Sequence, residues 1–523
     1  MKIKTTCLLW AIWASFLTAC GSNNESGDSG GTPEPPLVKD PVTYYIDADR
    51  GNDNSAGTSA EQAWRTLSKA NTVTLQPGDR LLLRRGQTHT GELDIKGTGT
   101  ESKPILVTGY GTGANPVVKG YDYSDWAVRV KNSSWLTLRG LEVVNTGKEA
   151  KAGRTGVKVE CMDHGISAHL TIDSLFIHDV NGSLVKEQGG GSGILIQNGG
   201  QTVASRFDGL TISNCHVLRC QRNGIIWTAY YDRHNWLPNL NVVVRDNLIE
   251  QVPGDGIVPI GCDGALVEYN VMRDCPATLP ASEAAAGIWP WSCDNTVIQF
   301  NEVSGHKAPW DSQGYDCDYN CRNTVIQYNY SHDNYGGMVL ICDSGNERYY
   351  SIGNDGSIVR YNISIGDGVR PVPTRTGQMF SPSIHIAGRV TNTTVANNII
   401  HANAKPTASC DRTMICSDSW DGYADNTQFT DNIFYSAEES RFQMTKSTRN
   451  TFQHNWYLGK YEDQPADGAG QTSSRCYEER ITGTDAQGYT ALEALMTPTL
   501  HYGVEGHTVD KEKIEQFFRT MNK

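Results

Sequence analysis

The sequence predicts an all-β chain wound into a parallel β-helix, and two features carry that prediction: a short motif recurring through the middle of the chain, and a residue before it that is aromatic in four successive copies. The motif is apolar-x-x-Asn-x-apolar. It occurs as VRDNLI, VEYNVM, IQFNEV, IQYNYS, VRYNIS, VANNII, FTDNIF and FQHNWY, placing Asn at 247, 270, 301, 329, 362, 398, 432 and 455. Successive Asn are 23, 31, 28, 33, 36, 34 and 23 residues apart. LRGLEV (138–143), IDSLFI (172–177) and ISNCHV (212–217) fit the same frame without the Asn, giving about eleven units. Each unit is two short alternating runs around a tight bend, too short and too β-branched for the helix pairs of helical repeats. A propeller blade needs about 40 to 45 residues, longer than any of these gaps. Asn suits the bend because it tolerates the left-handed conformation and because its amide can bond its counterpart on the next coil about 4.8 Å away. Tyr269, Phe300, Tyr328 and Tyr361 precede four of the Asn and predict an aromatic stack.

Composition agrees with a large folded body. Of 523 residues 38% are hydrophobic and 20% charged, with 53 Gly, and the 23 Tyr, 12 Trp and 11 Phe exclude a disordered chain. The net charge of −13 is opposite in sign to that of a nucleic-acid binder. No Cys/His spacing of a zinc site appears, and the cysteines are too sparse for a disulfide scaffold.

In chain order, residues 1–19 read as a signal peptide, with Lys2 and Lys4 before an apolar run too short for a permanent membrane span. The run closes in LTAC-Gly21, which resembles the lipobox of bacterial lipoproteins and implies lipid attachment at Cys20. Residues 20–40 form a Gly/Ser/Asn/Pro-rich tether, and their acidic stretch resembles the surface-export signals of Bacteroidetes-type lipoproteins. The expected location is therefore the outer membrane, at the cell surface, with the membrane engaged through the lipid alone. Residues 41–130 form a mixed α/β N-terminal cap and first strands. TYYID (43–47) and RLLLRRG (80–86) are its strands, with a helix from Thr58 or Ser59 to about Ala70 and a turn at PGD (77–79). Residues 131–460 are the β-helix. Residues 461–523, with helix-like ALEALM and KEKIEQFFRTM, cap the far end.

DADRGNDNSAGTSAEQAW (47–64) and KPILVTGYGTGANPVVKG (103–120) closely resemble the N-terminal segment of right-handed, pectate-lyase-like parallel β-helix proteins, many of them secreted polysaccharide lyases and glycoside hydrolases. The region 310–335 looks most like β-helix glycoside hydrolases of gut-type bacteria. The resemblance implies the fold and a carbohydrate partner; it transfers no catalytic residue, since one fold hosts many reactions.

One strand per coil opens with Gly: GIIWT (224–228), GIVPI (256–260), GIWPW (287–291), GYDCD (314–318) and GMVLI (337–341). If the second residue points inward, Val258, Trp289, Trp291, Asp316, Asp318, Val339 and Ile341 point outward and Cys317 faces the core. Asp316 and Asp318 then lie about 6.5–7 Å apart on one face, near the separation of an inverting glycosidase pair. Asp316, Asp318, Asp311 and His306 are the catalytic candidates. Trp289 and Trp291 are the sugar platform, and Trp310, His332, Asp333, Tyr231 and Arg233 complete the substrate-binding set. The two acids read alternatively as a calcium site or as solvated surface groups, and no other cofactor or metal is expected. Cys262, Cys293 and Cys321, each eight residues before an Asn, should stack as buried thiols. A glycoside hydrolase acting on a polysaccharide or oligosaccharide fits best. A lyase acting on uronic acids is second, because the groove strands carry no Lys or Arg, and a glycan-binding protein without turnover is third.

Overall fold

The computed structural model describes residues 40–344, 351–470 and 492–521; the expected leader, Cys20 and the tether lie outside these. Three parallel sheets run the length of a coil. The first joins Thr43–Ile46 to Arg80–Arg84 and proceeds rung by rung to Thr451–Gln453. The second contains thirteen strands, from Thr88–Thr90 to Trp456–Leu458. The third is in two pieces of six strands, Leu93–Ile95 to Ile257–Val258 and Tyr315–Cys317 to Tyr461–Glu462. Eleven rungs of the second sheet are the units visible in the sequence; Thr88–Thr90 and Val117–Lys119 add two more, so the first strands already belong to the coil. The expected helix through Ala70 is instead a single 3-10 turn, Ala60–Gln62, and a short helix, Leu67–Ala70, capped by the Thr66 hydroxyl.

The bend between the first and second sheets is built by the Asn repeat. From Asn247 through Asn270, Asn301, Asn329, Asn362, Asn398 and Asn432 to Asn455, each amide donates to the Oδ1 of the next at 2.9–3.0 Å. That same oxygen also accepts the backbone N–H of the preceding Asn, and the column ends on the Asp467 carboxylate. The left-handed residue is not the Asn, as the sequence suggested, but its predecessor, including Tyr269, Phe300, Tyr328 and Tyr361. That conformation swings their rings outward, and they stack at 5.0–5.4 Å. Aliphatic side chains of all three sheets fill the interior, and Cys262, Cys293 and Cys321 lie within it as free thiols. Among the described residues, no helix is long and apolar enough to cross a membrane.

Glycines opening the third-sheet strands form a column. A Cβ on Gly224, Gly256 or Gly287 would meet the carbonyl oxygen of the glycine on the next rung at 2.5, 2.6 and 2.3 Å. The column stops at Gly314, because Tyr315 pairs with Val339 and not with Met338. One extra residue shifts the frame there. Val339 and Ile341 therefore point into the core, against the expectation, while Leu340 and Cys342 face out. Val258, also expected outside, is fully buried.

The described C-terminal residues 492–521 cover a flank. The hairpin Met496–His501/Val504–Val509 and the helix Lys511–Met521 place Met496, Val509, Ile514, Phe517 and Phe518 on an apolar patch of the second sheet containing Ile363, Ile399, Ile433 and Trp456. Ala491 of the helix-like ALEALM lies outside the described residues.

Candidate active site

The third sheet is interrupted where the sequence places its chemistry. Between its two pieces, residues 287–291 make only single bridges, Ile257 to Ile288, Ile260 to Trp291 and Ile288 to Tyr315. Pro259 and Pro290 explain the gap, since each lacks the N–H a continuous ladder needs. The outward face of this stretch, walled by the loops that enter the third sheet from the second and leave it for the first, holds a cleft of about 720 Å³.

Register defines its floor. Trp289, Asp316 and Leu340 lie in one outward row, which continues past the cleft to His385 and Cys416; Trp291, Asp318 and Cys342 lie in the next, which continues to Ala387 and Asp418. Cys317 faces inward between the two acids, as expected. Asp316 is 3% exposed and its Oδ1 has no hydrogen-bond partner. Burial, then the charges of Asp318, Asp311 and Asp255, push its carboxyl well above the carboxylate range. Asp318 is less deeply placed; its Oδ1 accepts the Tyr319 N–H at 2.6 Å and the Cys342 thiol at 3.1 Å. Burial raises it to about 6 against those two bonds and the positive charge of Lys186.

Asp311 reaches the same cleft from the loop 304–313. Burial and the neighbouring Asp318 raise it to about 7, against His385, Arg375 and Arg370. Its backbone is left-handed, as is that of Ser312, and the kink is held from both sides. Buried Arg370 donates to the carbonyls of Ala308 and Asp311 at 2.7 and 2.8 Å, and Ser312 N–H donates to Ala285. His306 belongs to this support and not to the reacting set: it is fully buried, Nδ1 is 2.8 Å from Ser312 Oγ and Nε2 donates to the Gly254 carbonyl. Burial lowers it to about 4, so it is neutral and holds the loop that presents Asp311.

Trp289, Trp291 and Trp310 line the cleft, as the sequence suggested. Trp289 donates its indole N–H to Asp255 and carries the Lys186 ammonium 5.3 Å from its ring; Arg375 sits 4.9 Å from the ring of Trp310. Tyr231 reaches the site indirectly by stacking on Trp291 at 4.8 Å. Arg233 does not line it, because its guanidinium is committed to the Asp294 carboxylate and the Asn320 carbonyl and pins the 228–238 loop. His332 ends a strand of the second sheet and Asp333 follows in the bend, both away from the cleft. His332 lies between Glu302 and Asp333 and on the ring of Tyr330; burial would lower it, but the bonds to Asp333 and Glu302 prevail and hold it at about 9.

The sequence reading missed Lys186, Asp255, Tyr319, Arg375, Trp420 and Asp421. Lys186 and Arg375 come from loops, which is why groove strands without Lys or Arg do not make an uncharged groove. Trp420 had a usable signal: it follows Asp418, in the same outward row as Asp318. For metals, the one set of three His, Cys, Asp or Glu ligand atoms within 4.8 Å of one another, among the described residues, is His385, Cys416 and Asp418 rather than the cleft acids.

The coil is thus a parallel β-helix whose outward face carries an aromatic cleft with clustered carboxyls. A family model described as a right-handed β-helix region matches residues 192–361. The chain is 26% identical over 557 residues to a lacto-N-biosidase of Bifidobacterium longum subsp. longum, covering 87% of this chain and 33% of that enzyme. It is 24% identical over 166 residues to an α-1,3-galactosidase A of Akkermansia muciniphila, covering 27% of each. The chain thus spans a third or less of the length of these two relatives. The crystal structure of a GH136 lacto-N-biosidase from Eubacterium ramulus superposes with a TM-score of 0.55 at 25% identity, covering 68% of this chain and 64% of that one.

Proposed function

We propose that the protein is a glycoside hydrolase, with Asp311 and Asp318 as the working carboxyl pair. The observation that carries this reading is the meeting, in one aromatic-walled cleft, of two part-exposed carboxyls raised to about 7 and about 6. A carboxyl near 7 is protonated in about half of the molecules at neutral pH and can give that proton to a leaving oxygen, while its partner near 6 is mostly ionised there and serves as nucleophile or base. Asp316, deeper and protonated, offers an O–H beneath them and an acceptor oxygen for a sugar hydroxyl. Trp289, Trp291 and Trp310 supply flat apolar faces for sugar rings.

The similarity to lacto-N-biosidases supports this chemistry and makes lacto-N-biosides the first substrates to test. The leader, the LTAC motif and the tether support a lipid-anchored enzyme at the outer membrane, facing external glycans. The test is product release from a panel of lacto-N-bioside, plant and algal glycans. Asp311→Asn and Asp318→Asn should each lower turnover by about a hundredfold or more, the scale of losing a general acid or base. Full activity in both variants refutes the pair. Lys186 and Arg375 are the groups that would favour a lyase, and unsaturated, ultraviolet-absorbing products would show that chemistry instead.

A further inference from the structure

Beyond the cleft floor, His385, Cys416 and Asp418 bring an imidazole nitrogen, a sulfur and a carboxylate oxygen within 4.8 Å of one another. The coil itself produces the triangle. His385 and Cys416 are paired on adjacent rungs of the third sheet, and Asp418, two residues beyond Cys416, returns to the same face. His385 Nε2 lies 2.9 Å from Asp418 Oδ1. The imidazole is clamped edge-on by Phe380 at 4.9 Å and by Trp420 at 5.5 Å, so its direction is set before any ligand arrives. His385 and Cys416 are buried while Asp418 is part-exposed, leaving an approach from one side.

Cys416 also differs from most thiols of this chain. Cys161, Cys215, Cys220, Cys262, Cys275, Cys293, Cys317 and Cys321 fill the apolar interior, whereas Cys416 occupies an outward row beside a His and an Asp. Interior packing does not account for it. A mixed N, S, O donor set suits a borderline-soft ion, whereas calcium and magnesium demand oxygen alone. Donors about 2.0–2.3 Å from a tetrahedral zinc stand about 3.4–3.7 Å apart, inside the 4.8 Å within which these three atoms already lie.

We propose that His385, Cys416 and Asp418 form a binding site for a zinc-class divalent ion, with the remaining position open to solvent. Such an ion ties the strand Thr413–Asp418 to Ile384–Gly388. The next residues, Ser419, Trp420 and Asp421, line the cleft, so the ion orients that wall.

The experiment is titration of the chelator-stripped protein with zinc chloride by calorimetry and with cobalt chloride by absorbance. One zinc per chain at sub-micromolar affinity is expected, together with a thiolate-to-cobalt charge-transfer band. Cys416→Ser should abolish the band and weaken zinc at least about tenfold, as should His385→Gln for zinc, while Cys410→Ser leaves both unchanged. Circular dichroism establishes that each variant is folded; if Cys416→Ser is not, Asp418→Asn is read in its place. Absence of stoichiometric binding to the folded wild type, binding only at millimolar zinc, or unchanged affinity in the folded variants overturns the site. None of these readouts depends on hydrolase activity.

Discussion

Replacing Asp318 by Asn should destroy activity and strengthen the fold, and the strengthening should depend on pH. Native Asp318 holds its proton up to about 6, while in the unfolded chain it loses it near 3.8. Its contribution to stability is therefore complete below the unfolded value and is lost as pH rises through about 6, because ionisation is resisted only in the native state. Two pH units at 1.36 kcal/mol each give about 3 kcal/mol withheld from the wild type at pH 8. Asn keeps an acceptor for the Tyr319 N–H and the Cys342 thiol, so the variant loses the charge and little else. It also removes the charge that helps raise Asp311, adding to the effect. The assay is calorimetric unfolding of both proteins across the pH range. The variant should match the wild type near pH 3.5 and exceed it by a few degrees in Tm at pH 8. A variant no more stable than the wild type at pH 8 would refute the picture of an acid held in a costly environment for its chemistry.

Asn329→Ala takes the Asn329 partner from the backbone N–H and a side-chain N–H of Asn301 and from the Ile298 carbonyl in a buried column, while the Asn362 carbonyl oxygen keeps the backbone N–H of residue 329. A loss of about 3–5 kcal/mol is expected at roughly 1–3 kcal/mol per orphaned group with partial relaxation; denaturant unfolding measures it, and unchanged stability contradicts the ladder. Trp289→Ala should raise KM more than it lowers kcat once a substrate is known, because the indole offers a surface rather than a proton; the reverse split removes it from the platform. Cys20→Ala should shift the protein from membrane to soluble fractions in cells, and unchanged partitioning counts against lipid attachment.

The coil was legible because its determinants are local. An Asn at each bend and an aromatic before it recur in the sequence itself, and each states its role without knowledge of distant residues. Asp316, Asp318, Trp289 and Trp291 were found for the same reason, as strict alternation along a strand is a short-range rule. Alternation failed at Val339 and Ile341, where a single added residue, invisible without the pairing partner, reversed the faces. His332 was misplaced because sequence proximity to Asp318 says nothing about which sheet a residue joins. Lys186 and Arg375 were invisible for a related reason: they reach the cleft from loops whose paths depend on packing against other loops. Asp311 was nominated by its neighbours, yet its presentation to the cleft rests on Arg370, a residue far along the chain that fixes its kink.

The Asn column has a direction. Every amide points one N–H toward the next Asn and its carbonyl toward the previous one, the second N–H going back to a backbone carbonyl of the preceding rung, so the side-chain series runs one way and finishes on a full negative charge at Asp467. Each member polarises the next, which makes the run a single electrical object more than a set of separate bonds. Its strength is therefore set partly at its terminus: neutralising Asp467 withdraws the anchor toward which the whole file is aligned, and the weakening travels back through rungs that never touch that residue.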